Sequence, residues 1–149
     1  TCALPTTLED KSLGCVQKGG TAVVADVLSY GSPAVRKGLN LLQGPGNDLV
    51  AATATAISGA QLVLFTTGRG TPFACPVPTV KISSNTALSR KKPGWIDFDA
   101  GQLLEGSPME TVAEEFFDFV LSVASGTAHT KSESFDKREL PIFKDGVTL

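Results

Sequence analysis

Between residues 62 and 72 the chain reads Leu62-Val63-Leu64-Phe65-Thr66-Thr67-Gly68-Arg69-Gly70-Thr71-Pro72. Its first four residues are apolar, which is typical of a buried strand, and we expect this strand at the centre of a sheet. Hydroxyls, two glycines and one arginine follow at once. Prolines at positions 72, 76 and 78 exclude a helix directly afterwards. The stretch therefore predicts a fully buried strand that ends in a stiff, polar and cationic loop.

Arg69 makes this loop a candidate anion-binding site, because ligands of open α/β sheets bind beyond the carboxyl ends of the strands. A guanidinium group offers paired donors to a carboxylate or phosphate, and Gly68 and Gly70 allow a ligand to approach the backbone. A tight turn with a solvated arginine explains the same residues equally well. The loop lacks the third glycine of a dinucleotide fingerprint, and the chain contains no Gly-Lys-Ser/Thr of a P-loop. NAD and ATP are therefore disfavoured.

The composition excludes several classes of function. A chain of 149 residues is long enough for one domain with a real core. Its net charge of −2 gives no footprint for nucleic acid, and no apolar run approaches the roughly 20 residues of a membrane span. The three cysteines are too few for a disulfide framework, so we expect a reducing, cytoplasmic compartment. The chain begins with Thr1 and shows no signal peptide, and we expect a processed product or a piece of a longer polypeptide.

Apolar runs and turn residues alternate along the chain. We expect strands at 22–28, 62–65, 79–83, 95–99 and 140–143, and a strand or a loop at 39–42. Asn47 or Asp48 can cap a helix over 49–58, and a short helix is expected at 85–90. This alternation predicts an α/β fold, a Rossmann-like sandwich with a mainly parallel sheet flanked by helices.

The clearest helix signal lies at 107–125. Ser107 and Glu110 have the spacing of a capping box, with Pro108 at the first helical position. Gly126 suits the carboxyl-terminal cap. Apolar residues recur at spacings of three and four and predict one buried face, formed by Val112, Phe116, Phe119, Val120 and Val123. The two phenylalanines could instead form a stacking platform, and we favour the core face.

Two aspartates and a histidine are weaker candidates for chemistry. Asp97 and Asp99 alternate with inward-facing Ile96 and Phe98, so both carboxylates face one side, where they suit a divalent ion or acid–base work. The solvated face of an edge strand is the interpretation that we favour. His129 lies in a polar stretch, for which a solvated side chain is the simpler interpretation.

Residues 6–20 form a second polar cluster. The spacing of their apolar residues predicts an amphipathic helix, with Glu9, Lys11 and Lys18 outside its apolar face. An ordinary amphipathic helix explains the segment well, and a functional site explains its glycine-bounded end and its lysines less well. For Cys15 the default interpretation is a small, buried apolar residue.

Four segments carry a resemblance to a known family. They read Thr-Thr-Leu-Glu-Asp-Lys-Ser-Leu-Gly-Cys at 6–15, Leu-Phe-Thr-Thr-Gly-Arg-Gly-Thr-Pro at 64–72, Trp-Ile-Asp-Phe-Asp-Ala-Gly at 95–101 and Arg-Glu-Leu-Pro-Ile-Phe-Lys-Asp-Gly-Val-Thr-Leu at 138–149. In order and spacing they resemble the carboxyl-terminal part of the sugar-acid dehydratase family that contains altronate and galactarate dehydratases. The resemblance covers essentially the whole chain. Because the family's chains are much longer, it implies that this is their last domain alone.

The resemblance implies a hydro-lyase that removes water from D-altronate to give 2-dehydro-3-deoxy-D-gluconate in hexuronate catabolism. Galactarate or a related sugar acid is the alternative substrate. The reaction places two negative charges on one carboxyl group, and a cation must stabilise them. The resemblance accordingly implies Fe²⁺ or Mn²⁺, with most ligands in the absent amino-terminal portion and Cys15 as the metal candidate here.

The resemblance also distributes roles among residues of this chain. Arg69 with Thr66, Thr67 and Thr71, on the loop opened by Gly68 and Gly70, would hold the substrate carboxylate or hydroxyls. The chemistry of their side chains, with no assignment carried over from the family, makes Glu9, Lys11 and Lys18 candidates for acid–base or polar contacts.

The implied partners are a small sugar-acid substrate and the rest of the polypeptide, with no nucleic acid and no membrane. Two other functions stay open. The chain could be a non-catalytic scaffold or homo-oligomer contact within such an enzyme. It could also be an unrelated module that binds small anions through the Gly-Arg-Gly loop alone.

Overall fold

The computed structural model describes residues 13, 14 and 16–141. Their strands lie in two parallel sheets. In the smaller sheet, β1 (Val24–Leu28) pairs with β2 (Leu39–Leu42), so the segment at 39–42 is a strand. A bulge between Val24 and Asp26 shifts the register of this pair.

The larger sheet contains β3 (Val63–Thr67), β4 (Thr79–Ser83) and β5 (Phe98–Asp99) in the order β3-β4-β5. All its pairings are parallel. With helices packed on its faces, this sheet confirms the α/β sandwich that the sequence predicts. The strand expected over 95–99 is shorter than predicted, because residues 95–97 form a turn that hydrogen-bonds back to Lys92 and Lys81.

Residues 13, 14, 16 and 17 are helical, and residues 22–141 contain four further α-helices and one 3₁₀ helix. They are α1 (Asp48–Ile57), α2 (Thr86–Lys91), the 3₁₀ helix (Ala100–Glu105), α3 (Met109–Ala124) and α4 (Lys131–Ser134). Asn47 caps α1 and Asn85 caps α2, each by accepting a backbone N–H three residues on. Among the described residues, no helix is both long and apolar enough to cross a membrane.

The start of α3 corrects the predicted capping box. Pro108, with φ −62° and ψ 140°, occupies the N-cap position, and no side chain caps the helix. Ser107 therefore lies one residue too far out to cap, and its backbone N–H donates instead to Gln102 of the 3₁₀ helix. The carboxyl-terminal end is as expected, because Gly126 follows the helix with a positive φ of 75°.

The apolar face of α3 packs against the face of β4 that carries Val80 and Ile82. Val112 and Val123 are buried, and the other three residues of the predicted face are half-buried. The ring of Phe116 lies 4.9 Å from that of Phe98, centre to centre. The core interpretation of α3 is therefore confirmed.

The strand predicted as central, β3, lies at the edge of its sheet, and β4 lies in the centre. Val63 is buried, but the side chain of Leu64 is 48% exposed, so β3 is not fully buried. By contrast, all five residues of β4 are buried although its sequence alternates polar and apolar residues. The reason is that β4 has a strand on each side and a packed layer on each face.

The second face of the sheet carries Lys81 and is covered by different segments. Val63 packs there with Ala52 of α1, and with Phe73 and Cys75 of the segment between β3 and β4. Helix α4 covers the same face, because Ser132 Oγ donates to the Thr79 carbonyl at 3.3 Å. After α4, residues 137–141 are irregular. The strand predicted at 140–143 is therefore wrong for 140 and 141, and its last two residues lie outside the described residues.

Candidate functional site

The larger sheet ends in one polar edge. Thr67, Ser83 and Asp99 are paired in register at the carboxyl ends of β3, β4 and β5. The loop after β3 therefore lies beside the residues that follow β4, which include Ser84 and the helix cap Asn85. This is the edge at which parallel α/β sheets bind ligands.

Hydrogen bonds within this edge fix the loop after β3. Thr67 Oγ1 accepts from the Gly70 N–H at 2.9 Å, and Asn85 Nδ2 donates to the Gly68 carbonyl at 3.1 Å. Gly70 has a φ of +80°, and a Cβ there would lie 3.1 Å from Leu88 Cδ1. A side chain at position 70 would therefore be strained and crowded, and glycine is required. The sequence correctly predicted a stiff turn.

Arg69 projects from this turn as an exposed cation. No described residue makes a hydrogen bond or an ion pair with its guanidinium group. Thr66 is exposed as well, and Thr67 and Thr71 are half-buried. The loop thus presents donors at the carboxyl edge, and its contact with a substrate stays a prediction.

The structure does not gather the remaining predicted site residues around this loop. Lys18 lines a different cavity, together with Gly19 and strand β2. Glu9, Lys11 and Cys15 lie outside the described residues. His129 follows α3 in the chain and is exposed, and its Nδ1 lies 4.0 Å from Glu133 Oε1.

Asp97 and Asp99 correct the predicted solvated face. Asp97 Oδ2 accepts from the Lys81 N–H at 2.7 Å, and its Oδ1 accepts from the Lys131 N–H at 2.6 Å. Asp99 Oδ1 accepts from the Gly101 N–H at 2.8 Å and caps the 3₁₀ helix. Both carboxylates are therefore half-buried acceptors of backbone donors. In the described part of the chain, no three His, Cys, Asp or Glu residues are grouped so that they could hold a metal ion.

A cavity of about 280 Å³ lies close to the loop and was missed by sequence reasoning. Its lining residues are Pro72, Lys81, Gly94, Trp95, Lys131, Ser132, Phe135 and Lys137. Pro72 is the last residue of the segment 62–72, which contains the Arg69 loop. Trp95 Cε3 lies 3.6 Å from the position that a Cβ on Gly70 would occupy. The cavity therefore adjoins the Arg69 loop, and three lysines line it.

Lys81 is the unusual member of this cavity, because its residue is only 3% exposed. Its Nζ lies 5.7 Å from the centre of the Phe73 ring. Burial lowers the pKa of Lys81 below its ordinary value of 10.5, and the Asp97 carboxylate offsets this in part. Burial likewise raises the pKa of Asp97 above 3.8, against the hydrogen bonds from Lys81 and Lys131. No ion pair within 4.0 Å joins the two side chains, so each charge is only partly compensated.

The alternation of polar and apolar residues in β4 could not show that Lys81 is buried. It shows only that Lys81 lies on the face opposite Val80 and Ile82. A lysine in a strand is ordinarily assumed to face water. One signal was present: Phe73 and Cys75 are apolar residues in the proline-rich segment that precedes β4, and they cover the face on which Lys81 lies.

Comparison with known proteins adds to this geometry. The family profile "D-galactarate/Altronate dehydratase, C-terminal" matches residues 5–148. The chain is 58% identical over 144 residues to an altronate dehydratase of Escherichia coli (strain K12), and 56% identical over 144 residues to one of Bacillus subtilis (strain 168). These matches cover 97% and 96% of this chain. A galactarate dehydratase (L-threo-forming) of Escherichia coli (strain K12) is 35% identical over 137 residues, or 90% of this chain. The chain spans 29%, 29% and 26% of the length of these relatives.

Proposed function

This chain belongs to the D-galactarate/altronate dehydratase C-terminal family, and from that premise we propose that it is the carboxyl-terminal domain of a hydro-lyase acting on D-altronate. The enzyme would remove water to give 2-dehydro-3-deoxy-D-gluconate in hexuronate catabolism. The remainder of the same polypeptide is then the chain's partner. A cytoplasmic compartment belongs to the same proposal and is supported by Cys75, a buried free thiol.

The observation that carries this proposal is the difference in identity between two kinds of relative. Identity is 58% and 56% to the altronate dehydratases but 35% to the galactarate dehydratase, over nearly the same residues. The difference favours D-altronate over D-galactarate as the substrate.

The exposed Arg69 loop supports a role in binding a sugar acid. The reaction requires a base to take the proton beside the carboxylate, and the leaving hydroxyl must be protonated. Negative charge then develops on the carboxyl group, where a fixed cation lowers the energy of the transition state. Arg69 would donate to the carboxylate or hydroxyls, and Thr66, Thr67 and Thr71 would donate to hydroxyls.

The expected Fe²⁺ or Mn²⁺ does not fit the described residues, because they contain no group of ligands for it. We therefore assign no step of the reaction in this chain to a metal. The proposal places the ligands elsewhere in the polypeptide, with Cys15 as the candidate from this chain. Glu9, Lys11 and Lys18 stay candidates for acid–base or polar contacts.

A second candidate function is a scaffold or homo-oligomer contact within the same enzyme. Its support is that the chain spans only 29% of the altronate dehydratases that it matches, which leaves ample chain for a complete site elsewhere. The two candidates differ in what they predict for Arg69, since a scaffold does not need this exposed side chain.

The test of the substrate uses the full-length polypeptide that contains this chain, supplied with Fe²⁺ or Mn²⁺. Turnover of D-altronate and D-galactarate is followed by the appearance of the 2-dehydro-3-deoxy acid. We expect kcat/KM to be larger for D-altronate. Folded, metal-supplied protein that dehydrates D-galactarate better, or neither acid, would overturn the proposal.

A further inference from the structure

The cavity beside the Arg69 loop holds more positive than negative charge. Lys81 lies at its buried end, and Lys131 and Lys137 are exposed at its rim. Among the carboxylates, Asp97 has the strongest electrostatic effect on Lys81, but its oxygens already accept hydrogen bonds from two backbone N–H groups. Lys137 Nζ donates to the Pro72 carbonyl at 3.4 Å, which draws its ammonium group towards the cavity.

A buried ammonium group without a close acceptor is costly, and an anion in the cavity would relieve this cost. None of the described residues hydrogen-bonds to Lys81 Nζ or pairs with it within 4.0 Å. A carboxylate placed between Lys81 and the rim would accept from the buried ammonium and be attracted by two more. Water-exposed lysines alone would give weak binding, whereas a desolvated one strengthens it.

We propose that this cavity binds the carboxylate of the sugar-acid substrate, with Lys81 as its buried anchor and Lys131 and Lys137 at its rim. The inference rests on the proposed function for the identity of the acid. It adds the three lysines to the carboxylate contacts, beside the Arg69 loop, which keeps its proposed contacts to the carboxylate or hydroxyls.

The size and walls of the cavity suit such a ligand. Its volume of about 280 Å³ is just below the range of about 300–1,000 Å³ for small-molecule sites, which fits a small acid better than a nucleotide. Trp95 and Phe135 give it aromatic walls for the C–H faces of a carbon chain. Trp95 is itself held by Lys92, whose Nζ lies 3.6 Å from the centre of the ring.

The binding test uses the full-length polypeptide with metal removed by a chelator, so that binding is measured without turnover. Calorimetry compares D-altronate with the neutral alditol D-altritol, which lacks the carboxylate. Lys81→Met removes the buried charge at nearly constant length, and Lys91→Met, at an exposed position of α2, is the matched control. We expect Lys81→Met to weaken D-altronate binding at least about 10-fold and D-altritol binding hardly at all.

The rim gives a second variant that cannot fail by unfolding the core. Lys131→Met combined with Lys137→Met changes exposed side chains, and we expect it to weaken D-altronate binding about 3-fold to 10-fold. Unchanged binding in both this variant and Lys81→Met would overturn the inference. Weaker binding of D-altritol and D-altronate alike would also overturn it, because the lost contact would not be to the carboxylate.

A pH profile separates an anion contact from a structural effect. Lys81 is faced by Asp97, Lys137 and Glu139, and the balance lowers its pKa below 10.5. Binding of D-altronate should weaken as the pH rises through this lowered value, and the change should be absent in Lys81→Met. If the native enzyme dehydrates D-altronate and the Lys81→Met variant binds D-altronate normally, the inference is refuted and the proposed function stands. Lys81-dependent binding without turnover, after metal is restored, would refute the proposed function alone.

Discussion

Replacing Asp97 with alanine should destabilise the chain by removing the two hydrogen bonds through which its carboxylate connects β4 to α4. The carboxylate accepts the Lys81 N–H at 2.7 Å and the Lys131 N–H at 2.6 Å. Hydrogen bonds to a charged group contribute about 1.5–3 kcal/mol each, so the gross loss is about 3–6 kcal/mol. Burial of the carboxylate, which raises its pKa, offsets part of this. The Lys131 N–H is exposed and can bind water, whereas the Lys81 N–H is partly buried and cannot do so freely.

We therefore expect Asp97→Ala to lower the free energy of unfolding by about 2–4 kcal/mol, or the melting midpoint by roughly 5–15 °C. Urea titration followed by circular dichroism measures this, with Asp118→Ala on the exposed side of α3 as the control. If Asp97→Ala and Asp118→Ala unfold at the same urea concentration, the two short hydrogen bonds do not stabilise the fold and the reasoning is refuted.

Three further predictions concern Asp97, Lys81 and Gly101. Because burial raises the folded-state pKa of Asp97 above 3.8, the folded state favours the protonated side chain. Part of the stability that Asp97 contributes is therefore present in full below pH 3.8 and is lost as the pH rises through the raised value, whereas the hydrogen bonds from Lys81 and Lys131 retain the rest. Urea unfolding should accordingly give a smaller difference between the native chain and Asp97→Ala as the pH rises through that window; a constant difference would contradict the shift. Lys81→Met removes a buried charge and should stabilise the chain by about 1 kcal/mol, or roughly 2–4 °C in a thermal melt, where a lower midpoint would contradict uncompensated burial. A Cβ at Gly101 would overlap the backbone of Asn85 and Thr86, so Gly101→Ala should cost about 3 kcal/mol by urea titration. Gly44→Ala, with open space around it, should have little effect, and equal costs would contradict the close approach.

Local signals in the sequence predicted most elements of the fold. The Asn47 cap, the apolar face of α3 and the glycine after that helix depend on neighbours within one or two turns. Such signals are present in the chain before it folds. Strand order is different, because it depends on which segments pair across long separations. The apolar run that begins at Leu62 was therefore assigned to the centre of the sheet, although the polar-alternating β4 lies there.

In the candidate site too, features that depend on neighbouring residues were predictable, and features that depend on long-range contacts were not. The turn around Arg69 was predictable, because glycines, threonines and following prolines determine it locally. The lysine cavity was not, since it requires β4, the 94–95 turn and the α4 segment to meet in space. Asp97 was misassigned for the same reason: its partners, the backbone N–H groups of Lys81 and Lys131, are 16 and 34 residues away.

The central claim, that this chain binds substrate for a hydro-lyase, is tested most directly by Arg69→Ala in the full-length polypeptide. The measurement is kcat/KM for D-altronate with Fe²⁺ or Mn²⁺, against Arg36→Ala in the connection between β1 and β2 as the control. The account predicts a loss of about 100-fold or more for Arg69→Ala, and little change for Arg36→Ala. Unchanged kinetics for a folded Arg69→Ala enzyme would contradict the account and leave the chain as a scaffold.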